Sequence, residues 1–280
     1  MWRRFCAGIL LMTSLAAQAP SPPPGLQPVD LPVRNDKTPA IRIYVARPAA
    51  VAPGAKVPVV LALHGCGGLF NVKGNIIARE RDWLARFLAA GYAVVYPDSF
   101  NPRGVREVCT LKANERPINP RGRAEDVAAT LDWIKSQPDL DAARIALIGW
   151  SHGGSTTLWS VDKAARAAAN LKIAIAFYPG CRPLANSATW SPAPPLTILI
   201  GDADDWTPIA PCRELVARHP AVKMIEYPGA VHGFDAPNSP LRTRKGLGLT
   251  KDGTAKVGTD PIARAAAIDE VMKRLGDAFK

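Results

Sequence analysis

The stretch Ile145-Ala146-Leu147-Ile148-Gly149-Trp150-Ser151-His152-Gly153-Gly154 decides how this chain folds. Its first four residues are an apolar run long enough for one buried parallel strand. Residues 149–153 match G-x-S-x-G, the spacing of a nucleophile elbow. A strand that reverses sharply into a helix strains its turn residue, and glycines two residues either side let neighbouring backbone approach closely. Ser155 to Ala169 is rich in alanine and reads as the helix that follows. The Ser151 hydroxyl would then project above the sheet at the positive end of that helix.

Working outward, short apolar runs alternate with helical periodicity. Before the elbow come an edge strand at Ile41–Val45 and a central strand at Val57–Leu63, the second leading into His64-Gly65-Cys66-Gly67-Gly68. A helix at Ile76–Ala90, a strand at Ala93–Tyr96, a polar loop from Asp98 to Asn119 and a helix at Arg121–Gln137 follow. After the elbow come strands at Leu171–Phe177, Pro194–Ile200 and Val222–Tyr227, with a helix at Ile209–Arg218. A long loop, Pro237 to Asp260, precedes a closing helix at Ile262–Phe279 with Ile262, Val271, Leu275 and Phe279 on its inner face. This alternation predicts an α/β fold, a mostly parallel central sheet with helices on both faces. Residues 40–280 read as one domain, without an internal repeat.

The first residues belong to a different class. Met1-Trp2-Arg3-Arg4 is a positive n-region and Phe5 to Leu15 an apolar segment too short to span a bilayer. Small residues follow, so residues 1–19 read as an export signal cleaved near 16–19, best after Ala16. Residues 20–39 are proline-rich and read as an extended arm. Removing the signal takes two arginines and no acids from a formal charge of +11. The remaining excess is spread along the chain without a basic helix or aromatic-interleaved patch, so nucleic acid is not an expected partner. No later stretch is apolar for long enough to cross a membrane. Expected localisation is periplasmic or secreted.

A serine hydroxyl is a weak nucleophile and needs a base, itself oriented by an acid. Of the four histidines, His219 and His232 follow the serine. His219 ends a helix before Pro220 and reads as exposed; His232 sits in the loop after the last strand and is the expected base. Three acids compete for the third role in Gly201-Asp202-Ala203-Asp204-Asp205, just past a strand's carboxyl end where parallel sheets build their sites. Spacing alone does not choose among them. An oxyanion needs two preorganised donors. His152, following the nucleophile, supplies one N–H and Cys66 in the glycine-rich loop the other.

With these residues in place, the chain resembles the dienelactone hydrolase family of α/β-hydrolases from about Val57 to Phe234. The family pattern has a glycine-flanked nucleophile, then G-x-x-D followed by a hydroxyl or apolar residue and Pro, then a histidine near Gly-Phe. Here these are Gly149–Gly154, Gly201–Asp204 with Thr207-Pro208, and His232-Gly233-Phe234. The resemblance implies Asp204 as the acid, ahead of Asp205 and then Asp202. It departs from the family at one point: dienelactone hydrolases proper use a cysteine nucleophile, and this chain has Ser151.

Four cysteines lie beyond the signal, none in a zinc-like spacing, and in an exported chain they suggest disulfides. The favoured pairs are Cys66–Cys109, pinning the oxyanion loop to the arginine-bearing loop, and Cys181–Cys212, joining loops after neighbouring strands. The expected activity is an exported serine hydrolase acting on a small-molecule ester, with no cofactor and no metal. Its rivals are a prolyl-oligopeptidase-like peptidase and a non-catalytic binding protein of the same fold. Arg103, Arg106 and Arg116 are candidates to face an anionic acyl group, weighed against an ordinary solvated loop.

Overall fold

The computed structural model describes residues 25–32 and 41–280; the expected export signal and most of the proline-rich arm lie outside those residues. The frame is an eight-stranded sheet. Its strands in chain order are β1 (Gln27–Leu31), β2 (Ile41–Ala46), β3 (Val57–Leu63), β4 (Ala93–Asp98), β5 (Leu140–Trp150), β6 (Ile173–Phe177), β7 (Leu196–Gly201) and β8 (Lys223–Tyr227). They lie side by side as β1-β2-β4-β3-β5-β6-β7-β8. β1 and β2 run antiparallel to their neighbours, and every pairing from β4 to β8 is parallel. The helices are α1 (Ala78–Ala89), α2 (Pro120–Ser136), α3 (His152–Ser160), the single turn α4 (Arg182–Ala185), α5 (Ala210–Arg218) and α6 (Pro261–Ala278).

The central strands are apolar without alternation because both faces are covered. Val59 to Leu63 and Ile145 to Ile148 are all buried. Pro58 is tolerated in β3 because the register with β5 shifts between Val57 and Val59, where no ladder N–H is required of it. α6 packs through Ala263, Ala267, Val271 and Leu275, an i, i+4 stripe that continues into Phe279. Ile262, expected inside, is 84% exposed: Asp260 caps the helix at the N–H of Ile262 and Ala263, and that phase turns Ile262 to solvent.

Three other expectations change. β2 is not an edge strand, because part of the proline-rich arm forms β1 beside it, with Asp30 and Arg42 directly opposite and joined by a bidentate ion pair at 2.7 and 2.8 Å. The helix after the elbow is shorter than its alanine content suggests and ends at Ser160, where Val161 and Asp162 turn toward the segment of residues 191–193, bridged at Pro192. The loop from Pro237 to Asp260 carries a two-stranded antiparallel hairpin, β9 (Arg242–Lys245) and β10 (Thr254–Val257). β9 is charged and mostly exposed with no apolar alternation, and β10 is only four residues long, with Ala255 and Val257 its buried members. The hairpin packs on a second small apolar cluster that includes Phe100, Val108, Ile118 and Leu247, set apart from the main core.

Candidate active site

Ser151 sits between β5 and α3 with φ 54° and ψ −111°, a conformation rarely taken by a residue with a side chain. Such strain costs of order 1–3 kcal/mol and persists where surrounding structure over-determines it. Two glycines show why the surroundings do so. A Cβ on Gly149 would lie 2.3 Å from the Gly153 carbonyl oxygen, and one on Gly153 would lie 2.1 Å from the Leu63 oxygen. The first turn of α3 is thus pressed against both its own strand and the end of β3, and no larger residue fits at either place. The Ser151 N–H donates to Phe177 O at 2.9 Å, tying the turn to β6 as well.

The side chains expected from later loops converge on this turn. His232 Nε2 lies 3.0 Å from Ser151 Oγ, and its Nδ1 lies 2.7 Å from Asp204 Oδ2. With Nδ1–H donating to the carboxylate, Nε2 is left to accept the serine proton. Asp204 is held by three further contacts: Oδ1 accepts the N–H groups of Trp206 and Thr207 at 2.9 and 2.8 Å, and the Thr207 hydroxyl lies 2.9 Å from Oδ2. The neighbouring acids face elsewhere. Asp202 accepts from Gly229 N and Asp205 from Lys256 N, both loop-bracing bonds. The three residues of the relay are all buried. Tyr178 and Trp206 contact the imidazole of His232, with ring centres 4.5 and 4.6 Å away.

Behind Tyr178 lies a buried carboxylate that sequence reasoning missed. Asp235 accepts from Tyr178 OH at 2.6 Å and from the indole N–H groups of Trp83 and Trp150, both at 2.8 Å. It therefore joins the loop carrying His232 to the residue immediately before the nucleophile. Its three partners are scattered over the chain, so no local pattern announced it.

On the opposite flank, His64-Gly65-Cys66 passes beside the elbow. A Cβ on Gly65 would sit 3.6 Å from Ser151 Cβ. Cys66 lines the same cleft as Ser151 and His152, and no acceptor among the described residues takes the N–H of Cys66 or of His152. Under this loop lies Arg123 of α2, fully buried, a second residue missed from sequence. Its signal was present: Arg123 is in helical phase with the inward Val127 and Leu131, where a charge is unexpected. Burial holds the His64 and His152 imidazoles well below the ordinary histidine range, and the Arg123 charge adds to the effect.

Both expected disulfides are present, Cys66–Cys109 and Cys181–Cys212. The first braces the glycine-rich loop, helped by Val108 N–H donating to Cys66 O at 2.8 Å. The second ties the turn after β6 to α5. The cleft above Ser151 has a volume of about 1120 Å³. Among the described residues, five cations line it, Lys112, Arg116, Arg121, Arg182 and Lys251, against the single carboxylate of Asp205. Of the three arginines singled out in the polar loop, Arg116 alone reaches the cleft, while Arg103 pairs with buried Asp126 at 2.8 Å and Arg106 is exposed. His219 is not the surface residue expected; it is half-buried with its ring 5.0 Å from that of Trp190.

Comparison with known proteins agrees with this architecture. Residues 41–277 match the dienelactone hydrolase family. An uncharacterized peptidase of Bacillus subtilis, YuxL, is 28% identical over 239 residues, covering 73% of this chain and 35% of its own length. The chain thus spans about a third of that relative's length. Among solved structures, a Klebsiella pneumoniae protein provisionally assigned as a dienelactone hydrolase superposes with a TM-score of 0.66 at 17% identity, covering 90% of this chain and 98% of that one. Thermogutta terrifontis esterase 2 superposes with a TM-score of 0.61 at 15% identity over 94% and 96% of the two chains. The chain belongs to the dienelactone hydrolase family and has the α/β-hydrolase fold.

Proposed function

We propose that this member of the dienelactone hydrolase family is an exported serine hydrolase that cleaves ester bonds through an acyl-enzyme. The observation that carries the reading is the unbroken contact chain from Ser151 Oγ through His232 to Asp204, at 3.0 and 2.7 Å. His232 takes the serine proton as Oγ attacks the ester carbonyl and returns it to the leaving alcohol. Asp204 keeps the imidazole in the right tautomer and stabilises the imidazolium that forms. The N–H groups of Cys66 and His152 receive the negative charge of the tetrahedral oxygen. Water, activated by the same histidine, then releases the acid.

Two properties of the chain bear on substrate and place. Five cations facing one carboxylate across the cleft favour an ester whose acyl or alcohol part carries negative charge. Two disulfides, together with the N-terminal signal pattern, favour an oxidising compartment such as the periplasm or the exterior.

A fluorophosphonate probe tests the chemistry: the wild-type protein labels and Ser151→Ala does not. Equal labelling of the two would defeat the reading. p-Nitrophenyl esters with neutral and acidic acyl groups, run beside peptide anilides, test the substrate. Acidic esters are expected to show the higher kcat/KM, and faster turnover of the anilides would replace the esterase by a peptidase.

A further inference from the structure

A fully buried arginine without a carboxylate in hydrogen-bond contact is an expensive thing for a protein to keep, since the desolvation of a charge amounts to several kcal/mol. Arg123 is such a residue. Its Nε donates to Ser99 Oγ at 3.1 Å, and its Nη1 lies 3.0 Å from both His64 O and His152 Nδ1. The nearby acids are engaged by other groups: Asp126 takes both terminal nitrogens of Arg103, and Asp98 accepts from the N–H groups of Phe100 and Asn101. The Phe100 ring, 5.1 Å from the guanidinium carbon, also meets the edges of His64 and His152, so the whole group shares one wall.

The two groups that Nη1 joins belong to the two segments that carry the oxyanion donors. His64 stands two residues before Cys66, and His152 is itself the residue after the nucleophile. On the serine hydrolase reading above, we propose that Arg123 is the positioning residue of the oxyanion hole: its guanidinium fastens the Cys66 loop to the start of α3 and sets a fixed positive charge behind the two N–H donors. A charge held there gains most when the carbonyl oxygen becomes an anion, because it needs no reorganisation at that moment. Its contribution therefore falls on the transition state and leaves substrate binding almost untouched. Because His64 and His152 stay neutral at ordinary pH, the His152 ring offers a lone pair to Arg123 and no competing charge.

The test compares Arg123→Lys and Arg123→Met with wild type for kcat, KM, thermal midpoint and inhibition by an alkyl boronic acid, whose Ser151 adduct mimics the tetrahedral species. Lys keeps a charge but cannot span both segments, and Met fills the space without one. Each folded variant is expected to lose at least tenfold in kcat with KM within twofold, to bind the boronic acid more weakly by a similar factor, and Met is expected to lose more than Lys. A merely structural arginine would lower the thermal midpoint and leave kcat near wild type in the folded fraction; that result, or a loss confined to KM, overturns the proposal. Should neither Arg123 variant fold, His152→Leu decides, since it cuts the same link while keeping the backbone N–H; the same kcat-only loss is expected and an unchanged kcat overturns the proposal. Labelling of wild type by the fluorophosphonate, absent in Ser151→Ala, separates the two levels. Without it the hydrolase reading itself fails, whereas labelled, active enzyme with an indifferent Arg123 removes this inference alone.

Discussion

The two flanks of Ser151 differ in the charge that meets their histidine, a carboxylate on His232 and a guanidinium on His152. On the base side, His232 meets the carboxylate of Asp204 directly, and a second buried carboxylate, Asp235, stands behind Tyr178, whose hydroxyl also accepts from Arg79 Nη1 at 3.1 Å. On the oxyanion side, a buried guanidinium that hydrogen-bonds no carboxylate among the described residues meets the His152 imidazole and the His64 carbonyl. On the proposed mechanism, the difference matches the charge each flank would meet. On that mechanism one side gains a proton during attack, which the carboxylate of Asp204 stabilises, and the other receives an oxyanion, which a cation stabilises. Ser151 sits at the boundary between them, at the floor of the cleft.

Removing the anion from the base side should produce the largest break. Asp204→Asn is expected to keep the fold and lower kcat by roughly 10⁴-fold, as loss of the orienting acid does in such relays. Asp205→Asn should change kcat only a few-fold, and esterase kinetics on the pair check the choice between them. Asp235→Asn is the next largest. It faces three N–H or O–H donors with an amide, leaving one mismatched, so it should cost about 2–4 kcal/mol of stability and lower kcat about tenfold by loosening His232 against the elbow. Urea denaturation and steady-state rates on the same preparation measure both.

The disulfides sharpen the contrast. Cys66→Ser with Cys109→Ser frees the oxyanion loop and should lower kcat several-fold, whereas Cys181→Ser with Cys212→Ser should act mainly on stability. Either pair closes a loop of moderate length and its loss should cost about 2–4 kcal/mol. Reversed effects on kcat would show that the bracing of Cys66 does not matter to the reaction.

The last effect leaves catalysis near neutral pH alone and bears on acid stability. His64 and His152 are held neutral in the folded protein, so as pH falls below about 6.5 the unfolded chain takes up protons that the native state refuses. Stability from this source is present above that pH and declines below it, by up to about 1.4 kcal/mol per pH unit for each histidine. Denaturation midpoints between pH 7.5 and 5 should show the slope, and His64→Leu should flatten it by about half. An unchanged slope would mean that other groups govern acid unfolding.

How much of this was legible beforehand divides along the same boundary. The elbow could be read because G-x-S-x-G is a local steric solution, visible in a few adjacent residues. The relay was half legible: Asp202, Asp204 and Asp205 all lie on the right loop, and which one turns toward His232 depends on the bonds from Trp206 and Thr207. Arg123 and Asp235 act through partners tens of residues away, so only the finished packing brings their roles together. The hairpin of β9 and β10 went unread for a related reason. β9 has no apolar pattern and β10 only a four-residue one, and the hairpin is held by contacts to the loop of the second cluster, such as Gly248 N–H donating to Cys109 O at 2.9 Å.

β1 carries a consequence for handling the protein. Without it, Ile41–Ala46 would be the open border of the sheet, five of its six residues buried and its backbone ready to pair with another chain. β1 covers that border with a strand bearing Pro28 and an ion-paired Asp30, poor material on which a further strand could be laid. An expression product trimmed to begin at residue 40 would shed this cover, and light scattering on such a product should reveal edge-to-edge self-association that the longer chain resists.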